Sequence, residues 1–352
     1  MDMHPLIHPP LVTAALAGVG GRIKAEPEDF EVEEIPAYAP SRQGDFLYLW
    51  IEKRDMGAEY FLRQVARRLD IAVGEVGSAG LKDRRAVTRQ MISVPATVQG
   101  RLAALEGDGI RVLNTNRHTN KLRPGHLHGN RFRVLIRDAR NDPAALDAIL
   151  DPLRHQGLPN FYGPQRFGKD GESLLLGMAL LRGEKPGRPV RSPFLRKLVL
   201  SAAQSGLFNH YLARRLENGL LRTVLLGDVM AKVPAGGMFV AADVACEQER
   251  FDRRETVTAG PIFGRKTFAA GHDAAQREAE TLAAFGLSVA SFGGFGKLVQ
   301  GTRRHNLVYV DDLSAMWEPA GLRLTFTLPA GSYATVLLRE IMKTEIADEP
   351  EA

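Results

Sequence analysis

Period-two patterns of apolar residues occur in two widely separated parts of the chain. The continuous apolar run Phe46–Ile51 is a candidate buried strand, and the alternating segments are Phe30–Ile35 and Arg131–Arg137 before residue 140 and Leu322–Leu328 near the end. This alternation is typical of β-strands whose two faces meet different environments. The residues between the two parts have mostly helical spacing, so the sequence predicts a strand-rich portion interrupted by a more helical one.

Helical spacing and capping residues place the predicted helices. We expect helices over Ala58–Leu69, from Pro143 with Asp142 as N-cap, over Pro193–Leu216, over Ala274–Phe285, and over Tyr333–Met342 with Ser332 as N-cap. The glycine-rich stretch Gly157–Gly168 is loop-like and marks the first domain boundary. A return to strand patterns at Asn306–Val310 marks the second.

Composition restricts the compartment and the class of protein. The only cysteine is Cys246, which excludes a disulfide framework and favours a reducing, cytoplasmic compartment. We expect that cysteine to be a small buried apolar residue. No apolar run approaches the roughly 18 residues that a membrane span requires. The formal net charge of +5 suggests a polyanionic partner.

The positive charge is most concentrated in the segment Arg111–Arg137. It holds seven arginines and lysines and no aspartate or glutamate, namely Arg111, Arg117, Lys121, Arg123, Arg131, Arg133 and Arg137. Phosphate backbones bind cations that have no competing carboxylates, so this segment favours nucleic acid over an ordinary solvated basic face. Phe132 lies within the segment, where it could stack on a base.

The stretch from Lys82 to Arg85 surrounds one aspartate, Asp83, with three cations. An ionised aspartate can act as a nucleophile or a general base. Composition alone favours the simpler interpretation, which is a turn with an ordinary ion pair. The glycine-rich segment Gly293–Leu298 lacks the Walker A pattern, and the chain has no zinc-binding, nucleophile-elbow or dinucleotide-binding motif.

Six stretches of the chain, in order, resemble the TruD-type pseudouridine synthases. They are IKAEPEDF (23–30), AGLKDRRAVTRQ (79–90), RHTNK (117–121) with GNRF (129–132), GLPNFYGPQRFG (157–168), RKLVLSAAQSGLFN (196–209) and LPAGSYATVLLRE (328–340). Together they span almost the whole chain, although residues 218–290 carry no matching motif.

This resemblance implies a fold and an activity. The fold class is α+β (mixed α/β), with a catalytic domain built on a mixed sheet and split in sequence into residues 1–157 and 305–352. An inserted TRUD domain would occupy residues 158–304. The implied activity is an isomerase that converts uridine 13 of tRNA to pseudouridine without net redox change or hydrolysis.

The resemblance also implies roles for individual residues. Asp83 matches the family's catalytic aspartate, acting either as a nucleophile on the ribose or in loss of the 2′-proton toward a glycal. The residues expected to bind the substrate are Lys24, Phe30, Lys82, Asn130, Phe132 and Tyr333, the last at a position where the family often has phenylalanine. Those expected to contact the RNA backbone are Arg117, Lys121 and Arg123.

We expect tRNA as the partner of a cytoplasmic monomer, with no membrane association, no metal and no nucleotide or other cofactor. The competing hypothesis is a non-catalytic RNA-binding protein or RNA chaperone on a synthase-like scaffold. A phosphate-ligand enzyme that uses the loop at Gly293–Lys297 is disfavoured by the failed Walker pattern.

Overall fold

The computed structural model describes residues 3–234 and 236–344 and has a mixed α+β fold. Its strands are β1 (Phe30–Pro36), β2 (Phe46–Arg54), β3 (Gly77–Ser78), β4 (Val87–Pro95), β5 (Ile110–His118), β6 (Leu127–Ile136), β7 (Leu158–Pro159), β8 (Val229–Lys232), β9 (Met238–Val240), β10 (Thr256–Ile262), β11 (Thr302–His305), β12 (Leu307–Val308), β13 (Ser314–Glu318) and β14 (Gly321–Pro329). Its α-helices are α1 (His4–Ile7), α2 (Ala58–Leu69), α3 (Pro143–Gln156), α4 (Glu172–Leu181), α5 (Pro193–Glu217), α6 (Val244–Asp252), α7 (His272–Ala283) and α8 (Ala334–Met342).

The described chain forms two compact units. The sheet unit comprises residues 18–150, 310–334 and 341–344, and the helical unit comprises residues 3–17, 151–309 without 235, and 335–340. The predicted insertion 158–304 falls within the helical unit. The flanking predicted segments, 1–157 and 305–352, each contribute residues to both units.

The sheet unit is built on a mixed eight-stranded sheet. Its strand order is β13-β14-β6-β1-β4-β2-β5, and β3 pairs with the end of β4. β1 and β4 run parallel, whereas the other neighbours are antiparallel. The pairing places β1, the sequence motif before it and the loop before β4 beside one another at the centre of the sheet.

One face of this sheet is covered by α2. Leu49 and Ile51 of β2 alternate inward and pack against Phe61 and Val65 of the helix. All four side chains are fully buried, and burial of each contributes roughly 1.5–3 kcal/mol. Side chains alternate between the two faces of β2, and the apolar residues of α2 recur at helical spacing, so the two elements together produce this layer.

The helical unit packs α4 and α5 beside a four-stranded sheet of order β11-β10-β8-β9. The helices approach closely at Gly177, where a Cβ would lie 1.9 Å from the carbonyl oxygen of Val199. Farther along α5, the buried guanidinium of Arg215 pairs with the buried carboxylate of Asp228 at 2.5 Å. That pair joins α5 to the start of the small sheet.

Most predicted elements are present, and two predictions need correction. The helix over Ala58–Leu69 is confirmed at both ends, and the Asp142 side chain caps α3 by accepting a hydrogen bond from the amide of Ala145. The corrected segments are Asn306–Val310, where only β12 pairs, and Tyr333–Met342, where the helix begins one residue later than predicted. Gly157–Gly168 is mostly loop, as predicted, with β7 and a 3-10 turn within it.

The predicted burial of Cys246 is wrong. The residue is exposed in the first turn of α6, next to the N-cap Asp243. A cysteine's usual preference for the interior is overridden here because the apolar face of this short helix is defined by other residues, among them the fully buried Phe251.

Candidate active site

Asp83 lies in the loop between β3 and β4, on the sheet unit. Its Oδ1 is 2.7 Å from the Nζ of Lys24, and their side chains are 40% and 25% exposed respectively. The carboxylate is therefore accessible to a substrate while a cation fixes its orientation. This partner is 59 residues away in sequence, so local composition around Asp83 does not reveal it.

A 3-10 turn at Pro27–Asp29 fixes the segment that carries Lys24. The carboxylate of Asp29 accepts the amide of Glu26 at 2.9 Å and two hydrogen bonds from Arg137 on the edge of β6, each 2.8 Å long. Burial raises the pKa of Asp29, but these hydrogen bonds outweigh it and hold the pKa below its ordinary value. The turn is thereby tied to the sheet.

Lys24 also lies over an aromatic ring. Its Nζ is 4.4 Å from the ring centroid of Phe30, a distance suited to a cation–π interaction. Phe30 in turn meets Phe132 edge to face at 6.1 Å, and Phe132 stacks on Phe326 at 5.2 Å. Three neighbouring strands, β1, β6 and β14, thus supply an aromatic support beneath the lysine.

That support is buried, which changes the expected role of its rings. Phe30 and Phe132 are only 2% and 6% exposed, so neither presents a free face on which a base could stack in this state. Tyr333, in the turn between β14 and α8, is partly exposed. Of the three predicted aromatic contacts, Tyr333 has the surface that stacking requires.

Two of the three cations beside Asp83 in sequence have described partners other than its carboxylate. Lys82 turns inward and pairs with Glu34 at 2.8 Å, both side chains being almost completely buried. Arg85 donates to the carbonyl oxygen of Ala25. The charge of Lys82 is therefore matched by Glu34 and not by Asp83.

Glu34 and Lys53 are site residues that motif reasoning missed. Glu34 accepts from Lys82 and, at 3.3 Å, from the amide of Met91. Lys53, fully buried, donates from Nζ to the carbonyl oxygens of Asp83, at 2.8 Å, and Met56. The backbone around Asp83 is thereby held from two strands, β1 and β2.

The strand patterns contain a signal for both residues. Glu34 continues the inward positions Phe30 and Val32, and Lys53 continues the inward positions Leu49 and Ile51. A charged residue on the buried face of an alternating strand needs a partner, because an unpaired buried charge is costly. That pattern predicts burial but does not identify the partner.

The strand register places Asn130 beside Glu34. It lies opposite Glu34 across β1 and β6, and opposite Leu328 across β6 and β14. Its side-chain Oδ1 is buried and accepts no hydrogen bond from the described residues. Among the predicted substrate contacts, the described geometry therefore links Lys24, Phe30 and Phe132 by direct contacts, and Lys82 and Asn130 through Glu34.

The basic segment is largely neutralised by carboxylates from neighbouring strands. Four of its seven cations form ion pairs: Arg111 with Glu52, Arg131 with Glu33, Arg133 with Glu31, and Arg137 with Asp29. The segment lacks acids in sequence, but β1, β2 and the preceding turn supply them across the sheet. The fold therefore does not present this segment as a basic face without carboxylates.

The three cations expected to contact RNA are the remaining ones. Arg117 donates to the carbonyl oxygen of Gly44 and to Gln99, and Lys121 donates to the carbonyl oxygen of Gly74. The Arg123 side chain is exposed and makes no hydrogen bond or ion pair within the described chain. Their positive charge is not matched by a carboxylate in any described contact.

The described part of the chain lacks two kinds of feature. Within residues 3–234 and 236–344, no group of three or more histidine, cysteine, aspartate or glutamate side chains is arranged to hold a metal ion. Over the same ranges, no helix has the length and apolar character to cross a membrane.

Comparison with known proteins connects this geometry to a family. The family model described as tRNA pseudouridine synthase D (TruD) matches residues 10–187 and 190–341. Two proteins named tRNA pseudouridine synthase D, one from an Anaeromyxobacter species and one from Thermus thermophilus, are 46% and 43% identical, each match covering 97% of this chain and 98% and 94% of the relative.

A solved structure agrees with these sequence matches. The crystal structure of a Methanosarcina mazei protein described as a putative tRNA pseudouridine synthase D superposes with a TM-score of 0.76 at 25% identity, covering 95% of this chain and 96% of the other. The family model spans nearly the whole chain, and the relatives align over nearly their whole length. The chain belongs to the tRNA pseudouridine synthase D family.

Proposed function

We propose that the protein converts uridine 13 of tRNA to pseudouridine, with Asp83 as the catalytic residue. Family membership supports the isomerisation of uridine in tRNA. The observation that carries the residue assignment is the accessible Asp83 carboxylate, held 2.7 Å from the Lys24 ammonium in a loop whose backbone is bound by Lys53. The ammonium orients the carboxylate, which stays accessible to a substrate.

The reaction rearranges bonds within one nucleotide. The bond from uracil N1 to ribose C1′ breaks, the uracil turns while it is held, and its C5 bonds to C1′. The C5 proton is then lost and N1 gains a proton, so oxidation state and composition are unchanged. Asp83 either attacks C1′ and is later displaced, or removes the 2′-proton to give a glycal; both routes use the same ionised oxygen.

The target base must leave its stack before either route can begin, which costs a few kcal/mol. Stacking on an aromatic ring offsets about 1–3 kcal/mol per base. Tyr333 is the candidate for that contact because it is partly exposed. The buried ring of Phe30, which packs against Phe132, instead supports the ammonium of Lys24.

The remaining assignments follow from the same proposal. The sheet unit, which carries Asp83 and Lys24, would be the catalytic domain, and the helical unit would hold the inserted domain. Arg117, Lys121 and Arg123 would contact phosphates of the tRNA. We further propose that the protein acts in the cytoplasm as a monomer.

A tritium-release assay tests the proposal. Purified protein is incubated with tRNA whose uridines carry tritium at C5, because formation of the C5–C1′ bond releases that label. The expected result is release of one label per tRNA, lost when nucleotide 13 is cytidine. A folded protein that binds tRNA but releases no tritium would instead support the non-catalytic RNA-binding alternative.

A further inference from the structure

An aromatic and histidine cluster lies on the sheet unit, where the loop after β1 meets the ends of β5 and β6. The ring of Tyr38 stacks on His118 with centroids 5.3 Å apart and an interplanar angle of 22°. The imidazole of His126 meets the edge of the same ring at 5.5 Å. Below it, Tyr48 packs against His118 at 4.4 Å.

The polar end of Tyr38 is also fixed. Its hydroxyl lies 2.7 Å from Nδ1 of His126 and 3.2 Å from the hydroxyl of Tyr48. The loop is held in the same place, since the amide of Ser41 donates to Nδ1 of His118 at 3.0 Å. Despite these contacts Tyr38 is 37% exposed. The result is a rigid aromatic ring that is open to solvent while its hydroxyl has partners within the protein.

Basic residues lie next to the cluster along the backbone. Arg117 directly precedes His118, and the amide of Arg42 donates to the carbonyl oxygen of Arg117 at 2.9 Å. The carbonyl oxygen of Arg123 accepts from the amide of His126 at 3.1 Å. The two segments that carry Tyr38, His118 and His126, residues 36–44 and 111–137, contain no aspartate or glutamate; the next carboxylate along the first segment is Asp45.

We propose that Tyr38 is a stacking platform for an unpaired nucleobase of the RNA substrate, separate from the uridine that is modified. Single-stranded nucleic acid is typically held by aromatic rings that stack on bases, interleaved with cations that follow the backbone. A ligand made of phosphate alone would not need the exposed ring. Because the ligand is RNA, this inference rests on the proposed function.

The first test compares two tyrosines of the sheet unit. Tyr38→Leu keeps an apolar side chain but removes the stacking face, whereas Tyr60→Leu alters an exposed tyrosine on α2 that is 49% exposed and shares no ring contact within the described chain. The lost stacking energy of about 1–3 kcal/mol corresponds to a roughly 5- to 150-fold weaker Kd for tRNA with Tyr38→Leu. Tyr60→Leu should bind as the unaltered protein does, and Tyr38→Trp should retain most of the affinity.

Salt dependence separates stacking from a phosphate contact. If Tyr38 stacks on a base, the slope of log Kd against log salt is the same with and without Tyr38→Leu, because no counterion release is lost. The penalty should also vanish for a fully paired duplex RNA, which offers no unpaired base. A change of about one in the slope, or an equal penalty with duplex RNA, would overturn the proposal.

A measurement on the unaltered protein covers the case in which Tyr38→Leu does not fold. tRNA containing 4-thiouridine is photo-crosslinked to the protein, and the crosslinked peptides are mapped by mass spectrometry. Crosslinks at Tyr38 from a nucleotide other than the target uridine support the platform, and their absence when other residues crosslink overturns it. Because binding and tritium release are measured separately, release without any Tyr38 effect rejects the platform alone, and a Tyr38 effect without release rejects the catalytic assignment alone.

Discussion

The buried pair of Glu34 and Lys82 allows a quantitative prediction of stability. Their side chains are 1% and 4% exposed, and the charged atoms are 2.8 Å apart. Glu34→Gln keeps the shape of the side chain but leaves the Lys82 ammonium buried without its counter-charge. Breaking a buried pair in this way costs about 3–5 kcal/mol, and for a domain of this size each kcal/mol lowers Tm by about 2–4 °C. We therefore expect a fall of about 6–20 °C.

Thermal unfolding followed by circular dichroism at pH 7 measures the change. Glu28→Gln is the matched control, because Glu28 pairs with Arg54 at 2.6 Å but both side chains are more than half exposed. Solvent screens such a pair, so Tm should barely change. The double replacement Glu34→Leu with Lys82→Met should recover most of the loss, because no buried charge remains. An equally small effect of Glu34→Gln and Glu28→Gln would refute the claim that burial makes the first pair important.

Three further predictions address binding, pH and metals. Replacing Arg117, Lys121 and Arg123 together with alanine should weaken binding to all RNAs alike and reduce the salt slope by about one per lost phosphate contact, measured by filter binding; an unchanged slope would place the RNA surface elsewhere. The pKa of Asp29 is lowered in the folded state, so its pairing with Arg137 stabilises the fold above the ordinary aspartate pKa of about 3.9 and this contribution disappears as pH falls through the folded value. Asp29→Asn should therefore lower Tm at pH 7, and the difference should shrink in acid; a difference independent of pH would contradict the assignment. Tritium release should survive treatment of the protein with EDTA when prefolded tRNA is supplied, and restoration of a lost activity by Zn²⁺ would refute a cofactor-free reaction.

Local periodicity accounts for the elements that the sequence predicts well. The helix α2 has both of its predicted ends, because its apolar stripe depends only on residues three and four positions apart. The strand β14 likewise follows from alternation within its segment, and β2 from a short continuous apolar run of strand length. The family motifs identify the loop of Asp83, although no local pattern distinguishes that aspartate from one in an ordinary ion pair.

Contacts between distant strands account for what the sequence does not reveal. Lys82 pairs with Glu34, which is 48 residues away in the sequence. Lys53 donates a hydrogen bond to the backbone of Asp83, which is 30 residues away. For the same reason the sequence overestimates the free positive charge of the segment Arg111–Arg137. Four of its arginines form ion pairs with carboxylates from β1, β2 and the 3-10 turn. Strand order and register decide these pairs, and neither can be obtained from composition or spacing.

The central claim is that the reaction depends on the negative charge of Asp83. The substitution Asp83→Asn tests it most directly, because the amide keeps the shape of the side chain and loses the charge. Asp138→Asn is the matched control, since Asp138 also pairs with a cation, Arg22 at 2.7 Å, on an exposed part of the sheet unit. Pseudouridine formation, Tm and tRNA affinity are measured on the same preparation of each variant. The account predicts that Asp83→Asn loses at least about 10²-fold in the rate of pseudouridine formation, while it stays folded and binds tRNA as well as or slightly better than before, and that Asp138→Asn remains active. Substantial pseudouridine formation by a folded, tRNA-binding Asp83→Asn protein would contradict it.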